Sequence, residues 1–160
     1  MAGKVNPIPE GFNSVTPHIV VKGAKAAMEF YKKAFGAEEV MCIPAPDGSV
    51  MHAEIQLGNS RVMIAEENPQ MGCQSPKSLG GSPITVHLYV NDVDSVVNQA
   101  VKAGATSVMP ITDMFWGDRY GMVTDPFGHK WSVATHTEDL TPEQIGERMA
   151  KAFAGGGCGA

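Results

Sequence analysis

Two histidines stand at matching places in two copies of one pattern. "TPHIVV", beginning at Thr16, and "TVHLYV", beginning at Thr85, both read Thr-x-His-aliphatic-x-Val, with His18 and His87 69 residues apart. Near neutral pH an imidazole can take up a proton, make hydrogen bonds or ligate a metal. The pair could act as a general base, as polar groups gripping a ligand, or as two donors to a divalent ion. Other side chains of similar capability are Glu54, Glu66, Tyr89, Trp116, Tyr120 and Ser132. The densest stretch is "WGDRYGMVTDPFGHKW", Trp116 to Trp131, with its Asp-Arg pair, two glycine turns and a histidine. A hairpin that only closed a sheet would need far plainer residues. Taken singly, a strand histidine is an ordinary hydrogen-bonded residue, Glu54 and Glu66 are rim residues, and the tryptophans serve packing. Repetition on one face is what points to a cavity.

The elements that must position these groups also come in two copies. After the first Thr-x-His run, Ala24, Ala27, Met28, Tyr31, Ala34 and Phe35 follow the i, i+3, i+4, i+7 spacing of an amphipathic helix. Val93, Val96, Val97, Ala100 and Val101 do the same after the second. Both patterns stop at Gly-Ala, Gly36-Ala37 and Gly104-Ala105, as a left-handed helix cap requires. The spacing predicts helices near 24–35 and 93–103. Each is followed by three β-rich runs parted by turn residues: Asp47-Gly48 and Gly58-Asn59 in the first copy, Gly117-Asp118 and Asp125 to Gly128 in the second. Each unit thus reads β-α-β-β-β, over 14–67 and 83–137. The Pro, Gly, Ser and Gln-rich link at 68–82 reads as a mobile loop. A last helix over 141–154 is announced by Thr141, Pro142 and Gln144, which make an N-cap, an N1 proline and a capping box. The GGGCGA end is read as a frayed tail.

Strand alternation assigns the faces. Ile19 and Val21, like Val86, Leu88 and Val90, belong under the helices. Thr16, His18 and Val20, and Thr85, His87 and Tyr89, then share the opposite, concave face. In "VMHAEIQL" the same rule buries Met51, Ala53, Ile55 and Leu57 and turns His52, Glu54 and Gln56 toward the concavity. In the last strands it sends Val62, Ile64 and Glu66 inward in the first unit, and Lys130, Ser132, Ala134 and His136 inward in the second.

Composition narrows the classes. The 160-residue chain is one domain made of two repeats, 43% apolar, with a net charge of −5 and no basic run. That argues against a nucleic-acid surface. No apolar run approaches membrane-spanning length and no leader pattern opens the chain, so a cytoplasmic protein is expected. Cys42, Cys73 and Cys158 are odd in number and widely spaced, which speaks against a disulfide framework. No glycine-rich nucleotide turn between strand and helix is present to support a methyltransferase.

Tandem β-α-β-β-β units with "DPFGHKW" before the last strand resemble the vicinal oxygen chelate superfamily of glyoxalases, bleomycin resistance proteins and dioxygenases. "VVKGAKAAMEFYKKAFGAEE" and "FWGDRYGMVTDPFGHKWSVATHTED" are similar to its PhnB-like branch, and the likeness runs from Val15 to about Ala152. The resemblance implies an α+β fold with a cup-shaped mixed sheet, and a homodimer in which one unit of each chain completes the other's cavity. "DPFGH" becomes the turn feeding the strand that normally brings the last metal ligand.

Alignment on the Phe30-Tyr31 pair, the Gly104 cap and the Asp125-Pro126 turn puts the family's four metal positions at Thr16, Ile64, Thr85 and Ser132. Three hydroxyls and an alkyl group are poor ligands. A two-residue slip, which keeps strand parity, would offer His18, Glu66 and His87 to a divalent ion instead. The resemblance therefore implies a metal-free protein that holds a small polar or aromatic ligand against His18, His87, Tyr89, Trp116, Tyr120, Glu54 and Ser132, with no cofactor. Its alternatives are a divalent-metal-dependent lyase, isomerase or dioxygenase of glyoxalase type, and a metal-free enzyme with His18 or His87 as general base.

Overall fold

A computed structural model describes residues 5–154; the GGGCGA end, with Cys158, lies outside them. The first unit runs β1 (His18–Val21), α1 (Ala24–Phe35), β2 (Glu38–Pro44), β3 (Val50–Leu57) and β4 (Ser60–Glu66). The short helix α2 (Pro76–Leu79) follows. The second unit runs β5 (Thr85–Tyr89), α3 (Val93–Ala103), β6 (Thr106–Asp113), β7 (Asp118–Thr124) and β8 (Lys130–His136), and α4 (Pro142–Ala154) ends the series. Helices α1 and α3 both close on left-handed glycines, Gly36 and Gly104, whose N–H groups return to the last carbonyls. Thr141 and Gln144 make the reciprocal bonds of the capping box.

The strands form two four-stranded sheets, β1-β4-β3-β2 and β5-β8-β7-β6, and among the described residues no strand pairs from one to the other. In each, the first strand runs parallel to the last and the other pairs are antiparallel. The apolar rows of both sheets contribute to one core around α1 and α3. Trp131, fully buried on the helix side of β8, lies 5.4 Å from the Tyr31 ring and 4.8 Å from that of Phe35. The helices are therefore held between the sheets, and the second face of each sheet points away from the core.

Three expectations are corrected. Ile64 pairs with Ile19 and Ala53, and Val62 with Ile55, so Val62, Ile64 and Glu66 stand on the helix side. The open row of β4 is Arg61, Met63 and Ala65, because His18 and Glu54 both register with Met63. Met51 is 57% exposed while Val50 is buried. Ile43 pairs with His52 but Pro44 with Val50, and the irregularity lets Met51 out of the alternation. The link is no bare loop. A 3-10 turn at Pro69–Met71 is capped by Asn68, and α2 by Ser75, whose amide and hydroxyl both reach Glu67.

Candidate functional site

The open face of the second unit carries the denser chemistry. Register brings together His87 with Ser132, Tyr89 with Ala134, and Tyr120 with Ala134. His87 Nδ1 is 2.7 Å from Ser132 Oγ. Its ring stacks 6.1 Å from Tyr120 at 18° and meets the edge of Tyr89 at 4.5 Å. Trp116 packs edge-on to Tyr120 at 5.7 Å, and Phe115 edge-on to Trp116 at 4.9 Å. Desolvation by these neighbours, only partly offset by Asp118, holds His87 below the ordinary imidazole value. The lowered value favours the neutral ring, with Nδ1 engaged and Nε2 without a hydrogen-bond partner among the described residues.

Asp118 organises this face. It is only 4% exposed, at the start of β7. Its Oδ2 accepts bonds of 3.0 Å from both Tyr89 Oη and Trp116 Nε1, and its Oδ1 accepts one of 2.8 Å from His136 Nδ1. Two site aromatics are thereby fixed by one carboxylate. Burial pushes the Asp118 carboxyl up, but the bonds from His136, Tyr89 and Trp116 outweigh it and leave it below its ordinary range. His136, bonded to both Asp118 and Asp139, is held above the ordinary imidazole value. Gly117 lets the chain enter this arrangement. Its φ of +94° is left-handed, and a Cβ there would run into the Glu138 carbonyl. Asp118 was not among the residues expected in the site; its place one step before an Arg-Tyr pair at the strand start gives no clue to the three donors that converge on it.

The open face of the first unit is charged. Glu54, buried on β3, lies 3.4 Å from His52 Nε2 and accepts a 3.3 Å bond from Arg61. His18 meets His52 edge-on at 6.0 Å. Phe12 covers the Arg61 guanidinium at 5.4 Å, so the segment before β1 passes over this face.

The structure therefore divides the expected residues. His87, Tyr89, Trp116, Tyr120 and Ser132 gather on one sheet, and His18 and Glu54 on the other. A groove of about 300 Å³ runs past His18 and His129, and one of about 610 Å³ past His87, Tyr89 and the β3–β4 turn. Glu66 joins neither face. Its two oxygens accept 2.7 Å bonds from the Gly23 and Ala24 amides and cap α1, which has no side-chain cap of its own.

Within one chain the donors expected for a metal do not come together. Ile64 is a fully buried alkyl group on the helix side, the Ser132 hydroxyl is engaged by His87, and Glu66 is committed to α1. His18 and His87 lie on separate sheets. Among the described residues no group of three or more His, Cys, Asp or Glu side chains is arranged to hold a metal ion. None of the helices is long and apolar enough to cross a membrane among those residues.

"DPFGH" also joins the two units. Asp125, 4% exposed, accepts bonds from Tyr31 Oη on α1, Trp131 Nε1 and the Phe127 and His129 amides. His129 Nε2 donates to the Val20 carbonyl of β1.

Comparison with known proteins agrees with this architecture. Residues 11–133 match the family model described as the glyoxalase/bleomycin resistance protein/dioxygenase superfamily. An uncharacterised protein of Mycobacterium bovis is 43% identical over 140 residues, covering 86% of this chain and 92% of that protein. The X-ray structure of an Arabidopsis thaliana gene product is 33% identical with a TM-score of 0.62, covering 77% of this chain and 98% of that one. A PhnB protein from Bacillus cereus, 19% identical over 77% of this chain and 99% of its own, shares the fold with a TM-score of 0.59.

Proposed function

Since the chain belongs to the glyoxalase/bleomycin resistance protein/dioxygenase superfamily, we propose that it binds a small molecule carrying a planar aromatic group, without a metal ion. The observation that carries this reading is the ring cluster of His87, Tyr89, Tyr120 and Trp116 on the open face of the second unit. Aromatic faces held in fixed orientation favour offset or edge-on contact with another ring. Asp118 and Ser132 supply that fixity, and His87 offers one neutral nitrogen to a hydroxyl, carbonyl or anionic group of the ligand.

A half-open face buries too little of a ligand to hold it well, since small-molecule sites enclose most of their occupant. In the proposed assembly two chains pair so that the charged face of one first unit closes over the aromatic face of the other's second unit. His18, Glu54 and Arg61 then meet the polar end of the ligand and the ring cluster meets its aromatic end. The same pairing covers the free edges of β1 and β5, which single chains leave open.

The test is native mass spectrometry of freshly purified protein for a co-purified small molecule, with metal analysis on the same sample. A bound aromatic compound without stoichiometric metal supports the reading. One zinc, nickel, manganese or iron per chain, lost in His18→Ala/His87→Ala, would instead make the protein a metal-dependent lyase, isomerase or dioxygenase.

A further inference from the structure

Helix α4 lies beyond the part of the chain that matches the family model, which ends at residue 133. It is amphipathic and yet buries none of its residues. Ile145, Met149, Ala152 and Phe153 form one stripe at the i, i+4, i+7, i+8 spacing, and Met149 and Phe153 are 44% and 59% exposed. Its side-chain anchors are the Arg148–Glu138 ion pair and the edge-on contact of Phe153 with Phe115 at 6.5 Å. An isolated helix shorter than about 12–15 residues is marginal in water, and a glycine in its middle costs about 1 kcal/mol more. With Gly146 in its second turn, a 13-residue helix of this kind calls for packing that the described residues do not provide.

Its place narrows what could cover it. Ring contacts run without a break from Phe153 through Phe115, Trp116 and Tyr120 to His87. Thr137 and Glu138, just before α4, both donate to the Gly117 carbonyl at the β6–β7 turn. The helix therefore stands at the edge of the aromatic face, where the second copy of the proposed dimer must arrive. On that copy the outermost strand of the first unit, β2, is exposed along its whole length, with Val40, Met41 and Ile43 bare. A membrane surface is a poorer match, because the polar side of α4 balances Glu143 and Glu147 with Arg148 and Lys151 and lacks the basic excess such helices carry.

We infer that α4 is a wall of the ligand cavity completed in trans, its stripe of Ile145, Met149 and Phe153 packing on β2 of a second copy of this chain. The inference rests on the paired-face assembly proposed above. Light scattering first separates the two: a mass of one chain refutes the assembly itself, and this inference with it. In a dimer, Met149→Cys is placed in one tagged chain and Ile43→Cys in a differently tagged one, both with Cys42, Cys73 and Cys158 replaced by serine. After mixing and mild oxidation, a disulfide joining the two tags is expected. Hydrogen exchange on the unaltered protein gives a second reading, and α4 amides slowed at least tenfold relative to the free α4 peptide are expected. A dimer with no such disulfide and with α4 exchanging as fast as the peptide overturns the inference. So does a disulfide that forms only when both substitutions share one chain.

Discussion

The phenol of Tyr31 on α1 donates a 2.7 Å hydrogen bond to Asp125 in the turn before β8, joining residues 94 positions apart. Burial first, then the neighbouring carboxylate, pushes the Tyr31 phenol far above its ordinary value, so it remains a donor at every pH the protein meets. Asp125 takes three further donors from its own unit. Asp125→Ala strands four donors in the core and is expected to cost about 3 kcal/mol or more, whereas Tyr31→Phe removes one bond and costs about 1 kcal/mol. Urea unfolding of both variants checks the order. Equal losses would mean that the three donors of its own unit add nothing, and a neutral Tyr31→Phe would mean that Asp125 does not bridge the units.

Ligand affinity should depend on both open faces. His87→Ala is expected to weaken binding of the co-purified compound at least about tenfold, which is 1.4 kcal/mol. His18→Ala/His87→Ala should abolish it with the unfolding midpoint unchanged, since both rings project from the core. Trp131 is sealed in the core and Trp116 lies among the site aromatics, so quenching of tryptophan fluorescence reports the titration. Full affinity in the double variant would remove these faces from consideration.

The His136–Asp118 pair gives a pH signature. His136 has a folded-state pKa above its ordinary 6.5, so its contribution is complete below that value and is lost as pH rises through the folded pKa. Asp118 has a folded pKa below its ordinary 3.8, so its contribution is present above that value and is lost as pH falls through the folded pKa. The stability difference between the wild type and His136→Gln should therefore peak between roughly pH 4 and 6.5 and shrink on either side. His136 is half exposed, which keeps the effect modest. A difference that stays flat from pH 3 to 9 would show that the pair does not titrate with folding.

Added metal should leave the protein unmoved. Zinc, nickel or manganese at a few equivalents is expected to shift the melting temperature by less than about 1 °C, against the several degrees that a ligand of the native state produces well above its Kd. A metal-dependent rise that Glu66→Gln abolishes would return Glu66 to the list of ligands.

Much of this architecture was legible because its signals are local. The i, i+4 apolar spacing and the Gly-Ala stops set α1 and α3, which the structure places at Ala24–Phe35 and Val93–Ala103. The faces of β8 were legible too, since Lys130, Ser132 and His136 alternate with Trp131 and Val133. In β4 both rows are apolar, Val62 and Ile64 on one and Met63 and Ala65 on the other. Only the pairing with β1, a long-range contact, decides which row meets the helix. Glu66 was misplaced for the same reason; an α1 without its own side-chain cap was the available hint. The helical turns of the link did carry a signal. Asn68-Pro69 and Ser75-Pro76 repeat the cap-then-proline grammar that located α4 from Thr141-Pro142. Asp118 and Asp125 gather partners from distant positions, and no spacing rule reaches them.

The core shared by the two sheets also governs how the chain could be divided. A fragment ending in the link after β4 would carry Tyr31 and Phe35 with nothing to cover them, and the remaining piece would carry a bare Trp131 and an Asp125 short of one donor. Each piece alone should populate an expanded, aggregation-prone state. Mixed in equal amounts, the two should fold on each other, with Trp131 fluorescence shifting to the blue as its ring leaves water. The duplication legible in the sequence is thus not a modularity of folding: its halves are mutual templates, and neither is a unit that selection could discard or transplant on its own.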